Sequence, residues 1–159
     1  MTIAYVGLGS NLQDPRGQVE RAFEELDALP HTRLVKRSSL YRSAPIGHAD
    51  QPEFVNAVAQ LETALPAERL LMELQQIEQR HGRERSFANA PRTLDLDLLL
   101  YGNVRTATER LALPHPRMHE RKFVLEPLCE IAPHASIPGV GTVKDCLEKT
   151  LNQKAERIV

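Results

Sequence analysis

The sequence contains no tryptophan, and four phenylalanines and three tyrosines are all the aromatics that its 159 residues carry. Each of them that reaches the surface therefore calls for a reason. Cysteine is equally scarce. Cys129 and Cys146 stand in helical-looking contexts with no metal-type Cys/His spacing, so they read as a pair of reduced thiols. Charge of one sign is missing too: 20 Lys and Arg stand against 21 Asp and Glu, for a formal charge of −1 and a pI near 6.6. A general binder of nucleic acid or of membrane surfaces needs a basic excess, so neither partner is expected. No apolar run approaches the ~20 residues of a membrane span. The start, Met1-Thr2-Ile3-Ala4-Tyr5, has neither a basic leader nor a signal-type apolar stretch, and a cytoplasmic location is expected. Repeats and low-complexity linkers are absent as well. What is there is one domain over residues 1–159, 42% hydrophobic, long enough to bury a core.

Periodicity orders that domain. Residues 2–8 read as a buried strand ended by Gly9-Ser10-Asn11, where a tight strand-to-helix turn fits better than a phosphate loop, because no phosphate-loop glycine motif is present. Asp14 and Pro15 supply an N-cap and a first helical position, and Val19, Ala22, Phe23, Leu26 and Leu29 follow at helical spacing up to Pro30. Residues 33–42 form a strand of poor alternation. Residues 53–62 alternate well, with Val55, Ala57, Ala59 and Leu61 on one face and Phe54, Asn56, Val58 and Gln60 on the other. Pro66 opens a second helix with the stripe Leu70, Leu71, Leu74 and Ile77, closed by Gly82. A strand over 93–101 follows, with Gly102-Asn103 as a hairpin turn into 104–108. Residues 117–131 look helical, kinked or divided by Pro127, and a short helix covers 143–150. The order strand, helix, strand, strand, helix, strand predicts a ferredoxin-like α+β sheet with one face left partly free for a site.

The chemistry concentrates in Asp95 and Asp97. Two apart on a strand, they point to one face, with Cα atoms about 6.5–7 Å apart. Carboxylates so placed suit Mg²⁺, which takes one or two of them together with phosphate oxygens and water. A solvated strand face explains Leu-Asp-Leu-Asp equally well on its own. The face continues with Leu99 and Tyr101, however, and a basic loop precedes the pair: from Arg80 to Arg92 there are four Arg against one acid, Glu84. Arg83, Arg85, Arg92, Arg110, His115, Arg117, Arg121 and Lys122 flank the strand, as phosphoryl transfer to or from ATP requires. Singly, each is also an ordinary surface charge. Residues 83–92 could serve as a lid. Phe54 and Asn56 could stack on a flat heterocycle and pair with its edge, or be core and cap. Gln75 and Glu78 border the second helix's Leu stripe as in any amphipathic helix.

The stretches Ala4-Tyr5 to Gly9-Ser10-Asn11-Leu12, Ser38-Ser39-Leu40-Tyr41-Arg42, Asp50-Gln51-Pro52 with Phe54 and Asn56, and Pro91-Arg92-Thr93-Leu94-Asp95-Leu96-Asp97 run in order along the chain. Glu109-Arg110-Leu111, Pro114-His115 and Glu130-Ile131-Ala132-Pro133 continue them. Over nearly its whole length the chain resembles the 6-hydroxymethyl-7,8-dihydropterin pyrophosphokinases of folate biosynthesis. The resemblance implies a ferredoxin-like βαββαβ core elaborated into a three-layer αβα domain with a mostly antiparallel sheet. It implies transfer of pyrophosphate from ATP to the pterin hydroxymethyl group, with AMP as the other product; a monomer is expected. It places two Mg²⁺ on Asp95 and Asp97, and the phosphates on Arg83 and Arg92. The nucleotide side falls to Gln75, Glu78, Arg85, Leu98, Arg110, His115 and Arg121. The pterin falls to Ser43, Pro45, Ile46, Phe54, Asn56 and Phe123, with the two phenylalanines sandwiching the ring.

The chain departs from the family pattern at Phe54, where Tyr is common, at Ser43-Ala44 for Thr-Pro, at Ala112 for Thr, and at Pro116 for Tyr. Its basic loop is one residue short, with Phe87 as the only aromatic. Two rivals stand beside the main reading. A nucleotidyltransferase also pairs a Gly-Ser turn with D-x-D, but there the two sit close, whereas Ser10 and Asp95 are 95 − 10 = 85 residues apart. A binding module without catalysis has no use for Arg92 with Asp95 and Asp97.

Overall fold

A computed structural model describes residues 1–44, 52–82 and 93–158. The chain runs β1 (Thr2–Ser10), α1 (Pro15–Asp27), β2 (Thr32–Arg37), β3 (Tyr41–Ser43), β4 (Phe54–Thr63), α2 (Ala67–Arg80) and β5 (Asp95–Tyr101). Then come β6 (Thr106–Ala107), β7 (Ala112–Leu113), α3 (Lys122–Ile131), β8 (Ser136–Ile137), β9 (Gly141–Thr142), α4 (Val143–Glu148) and β10 (Ala155–Arg157). β1 is central, antiparallel to β4 on one side and to β5 on the other. β2 and β3 share the far edge of β4, and β10 adds to β3. That is the ferredoxin-like order, mostly antiparallel, as the sequence predicts.

Two helix starts follow the expected chemistry. The Asp14 carboxylate accepts the Gly17 N–H at 3.3 Å ahead of Pro15, and α1 buries Val19, Ala22, Phe23 and Leu26. α2 follows Pro66 and buries Leu70, Leu74 and Ile77, while Leu71 is only partly covered. Gly82, at φ 75°, ends it in the left-handed region that glycine tolerates. Both helices lie over the sheet face formed by Ala4, Val6, Leu8, Val55, Ala57, Ala59, Leu61, Leu96 and Leu98. α3 and α4 cover part of the opposite face, packing Leu125, Leu128, Ile131, Val143 and Cys146 against Val58, Leu99 and Leu100. The sheet is thus sandwiched, with a core on each side. Two family-like stretches meet across the second face: the Tyr41 hydroxyl donates to Glu130 Oε1 at 2.7 Å, and the Ser39 N–H and hydroxyl donate to the same carboxylate.

Several boundaries differ from the pattern-based expectation. The strand over 33–42 is broken at Ser38, whose Oγ accepts the Val58 N–H at 2.9 Å in place of a backbone carbonyl. Gly9 and Ser10 do not form a turn; β1 runs through both. Residues 104–108 do not pair back onto β5, and β6 pairs with β7 instead. The outer edge of β5 is already used: the Glu78 carboxylate accepts the Leu96 N–H at 2.8 Å, and the His115 N–H donates to the Leu99 carbonyl at 2.9 Å. Pro127 neither ends nor divides α3, which runs through it; the division falls earlier, where a 3₁₀ turn at Met118–Glu120 gives way at Arg121. Tyr101 leaves the face of Asp95 and Asp97. Leu98 pairs with Val6 and Leu100 with Tyr5, so β5 spends one extra residue, Leu99, and the alternation reverses beyond it.

Candidate active site

α3 leaves one end of the second face open, and there a cleft of about 270 Å³ forms. Its floor is Gly7, Leu8 and Gly9 of β1, with Phe54 and Asn56 of β4 to one side and Asp95 and Asp97 of β5 to the other. His115, Arg121, Phe123 and Val124 form one wall, and Ser43 and Ala44 close the far end. The sequence expectation thus converges: Ser43, Phe54, Asn56, Asp95, Asp97, His115, Arg121 and Phe123 share one cavity. Leu98 does not line it; its side chain lies in the first core. Gln75 is exposed on α2, and Arg110 is exposed on the turn between β6 and β7. Arg83, Arg85, Arg92, Pro45, Ile46 and Phe87 lie outside the described residues.

The carboxylates owe their aim to their neighbours. Leu96 and Leu98 are buried in the first core, so the residues between and before them must face the cleft. Glu78 adds a second fix. It is 3% exposed, and its bond to the Leu96 N–H holds β5 at the residue between the two aspartates. A residue that pattern alone leaves as a helix border is thus a support under the carboxylate strand. Glu78→Ala is expected to cost about 1–3 kcal/mol of stability by leaving the Leu96 N–H unpaired. Denaturant titration measures it, and a loss under 0.5 kcal/mol, as a rough limit for a surface site, would refute the support role.

Asn56 is 5% exposed, and the Ser43 hydroxyl donates to its Oδ1. That bond fixes the amide, with Nδ2 directed toward Gly9. A Cβ built on Gly9 would stand 3.1 Å from that nitrogen, close enough to push the amide aside by a few tenths of an ångström, so glycine leaves it undisturbed. Gly7 and Gly9 line the cleft floor as strand residues, neither turn nor phosphate loop; two glycines alternating along an otherwise apolar strand are the signal for this. Phe54 and Phe123 are partly buried and both line the cleft. The Arg121 guanidinium stands over the Phe123 ring, 5.6 Å from its centroid.

His115 Nδ1 accepts the Arg117 N–H at 3.1 Å, which leaves the proton of a neutral ring on Nε2. Burial, and then the neighbouring Arg121, lower its pKa to about 4; Asp95 opposes them. An unfolded chain takes up a proton near pH 6.5 that the fold refuses until about pH 4. Stability from this group is therefore complete above pH 6.5 and is lost as pH falls toward 4. In the metal-free protein, the stability gap between wild type and His115→Asn should shift against wild type on going from pH 7.5 to pH 5, read from denaturant midpoints. A gap independent of pH would contradict this assignment.

Among the described residues no three His, Cys, Asp or Glu side chains gather as a metal cage. Two carboxylates alone do not suit zinc, which wants four protein ligands or three. They suit a hard cation that fills its shell with phosphate oxygens and water.

A family model, 7,8-dihydro-6-hydroxymethylpterin-pyrophosphokinase, matches residues 5–133. A 2-amino-4-hydroxy-6-hydroxymethyldihydropteridine pyrophosphokinase of Pseudomonas aeruginosa is 51% identical over 154 residues, covering 97% of this chain and 95% of the relative. One of the same name from Haemophilus influenzae is 46% identical over 154 residues, covering 97% and 96%. Among solved structures, a Plasmodium falciparum HPPK-DHPS aligns with 95% of this chain at a TM-score of 0.73 and 13% identity. That likeness is one of fold, and the chain spans 43% of that longer protein.

Proposed function

This chain belongs to the 7,8-dihydro-6-hydroxymethylpterin-pyrophosphokinase family, and on that premise we propose how its cleft divides the work of the reaction. The activity is transfer of pyrophosphate from ATP to the hydroxymethyl group of 6-hydroxymethyl-7,8-dihydropterin in folate biosynthesis. The hydroxymethyl oxygen forms a bond to the β-phosphorus, the bond from that phosphorus to the α-phosphate oxygen breaks, AMP leaves, and the hydroxyl proton is released.

The observation that carries the reading is the Gly9 row. β1 places the glycine directly between Asn56 on one side and Asp95 on the other. Phe54 and Phe123 take the faces of the pterin, and the Asn56 amide reads its edge while Ser43 holds that amide still. Pro45 and Ile46 complete the pterin side. Asp95 and Asp97 would hold Mg²⁺, two ions, which when bound would supply charge neutralisation at the phosphates of ATP. Arg83 and Arg92 bind the phosphates, joined by Arg85, Arg110 and Arg121. The His115 Nε2–H donates to the nucleotide, with the exposed Gln75 on the same side; the buried Leu98 side chain takes no part. No strong base is needed where positioning and charge neutralisation carry the step. The enzyme so read is a single domain acting as a monomer.

The test is product analysis on purified protein given ATP, Mg²⁺ and the pterin alcohol. AMP and a diphosphorylated pterin should appear in equal amounts, and a chelator should abolish both. Pyrophosphate release with a nucleotidylated pterin would mean nucleotidyl transfer instead. Binding of both substrates without AMP would mean a binding module.

A further inference from the structure

Ser10, the last residue of β1, and Asn11, which follows it, line no part of the cleft, yet they are 0% and 2% exposed. Burying two such side chains is unfavourable unless their polar atoms are bonded, and their partners are informative. The Ser10 hydroxyl donates to the carbonyl of Thr93. Asn11 Nδ2 donates to the carbonyl of Pro52 at 3.1 Å. Thr93 stands two residues before Asp95, which begins β5; Pro52 stands two residues before Phe54, which begins β4.

The backbone ladders of β1 stop at Gly9 opposite Asp95 and at Ser10 opposite Val55. The two side chains therefore extend the pairing past the last backbone rung, one toward each neighbouring strand. Thr93 adds a further sign. It is 6% exposed and its own hydroxyl has no hydrogen-bond partner among the described residues, whereas Ser10 bonds its carbonyl.

We propose that Ser10 and Asn11 are positioning residues with separate charges: Ser10 sets the strand of Asp95 and Asp97, and Asn11 sets the strand of Phe54 and Asn56. The inference rests on the assignment of those aspartates to the metal–ATP half and of Phe54 and Asn56 to the pterin half. A shared structural role would disturb both halves together. Two dedicated tethers disturb them one at a time.

Ser10→Ala and Asn11→Ala are compared with wild type for kcat, the Mg²⁺ concentration giving half-maximal rate, pterin Kd by equilibrium binding, and Tm. Loss of one hydrogen bond to a strand entry is expected to shift the linked parameter about 10-fold. Ser10→Ala should lower kcat and raise the Mg²⁺ requirement, with pterin Kd within about twofold of wild type. Asn11→Ala should raise pterin Kd and leave the Mg²⁺ requirement within about twofold. Ser10→Cys, a weak donor of nearly the same shape, should fall between serine and alanine, and Asn11→Ser, too short to reach Pro52, should behave as Asn11→Ala. Equal effects of the two alanine variants on both halves, a fall in Tm with no kinetic split, or failure of all four variants to fold would assign the pair to the scaffold and overturn the proposal. Asp95→Ala is run alongside: if it keeps its turnover, the metal assignment fails, whereas an inactive Asp95→Ala with no split between Ser10 and Asn11 refutes the tethers alone.

Discussion

An Asp97→Ala protein is expected to fold, to bind the pterin, and to turn over at least about 10³-fold more slowly than wild type. Folding should survive because Asp97 contributes little to packing. The burial that anchors β5 comes from Leu96 and Leu98, and its outer edge is held by Glu78. The reaction should not survive, because charge on the transferred phosphates must be neutralised where it develops, and one remaining carboxylate holds the cation poorly. Asp95→Ala should fall as far. Asp97→Asn is the sharper variant: it keeps the size and removes only the charge, so a steep loss there separates metal binding from shape. Single-turnover AMP release and circular dichroism report the two quantities. An active Asp97→Ala enzyme would sink the two-carboxylate site.

Asn56→Ala is expected to weaken pterin binding about 10²-fold, with the KM for ATP nearly unchanged. The side chain is buried against Ser43 and Gly9, so no neighbouring residue takes over its donor and acceptor positions. The substitution removes the group that reads the heterocycle's edge and also leaves the Ser43 hydroxyl unpaired in a buried place. Equilibrium titration with the pterin in the absence of ATP measures the effect directly. A Kd within threefold of wild type, about 0.7 kcal/mol, would show that the stacking faces alone hold the ring.

Much of this geometry is legible in residue order. The alternation of 53–62 correctly divides Val55, Ala57, Ala59 and Leu61 from Phe54, Asn56 and Val58, because period two is all that a strand with a different environment on each face requires. Asp95 and Asp97 are read correctly for the same reason. The pattern stops being informative where side chains replace backbone partners. Ser38 breaks a strand by offering its hydroxyl to Val58, and nothing in local sequence marks that substitution of partner. Glu78 looks like any helix border until the Leu96 N–H meets it. Alternation alone puts Tyr101 on the wrong face because a single extra residue at Leu99 inverts everything after it, and a bulge leaves no mark on composition.

The glycine at position 9 has a further consequence. Two strand spacings separate Asn56 from Asp95 across it, about 9.5 Å. Loops can lengthen, shorten or change composition without altering that span, since it is a property of three hydrogen-bonded backbones. The sheet acts as a fixed gauge between the heterocycle and the phosphates. Evolution can retune the rims of the cleft at will, but a different reach between acceptor and donor would require β5 to slip along β1. A slip of one residue would bury both aspartates among the leucines of the first core.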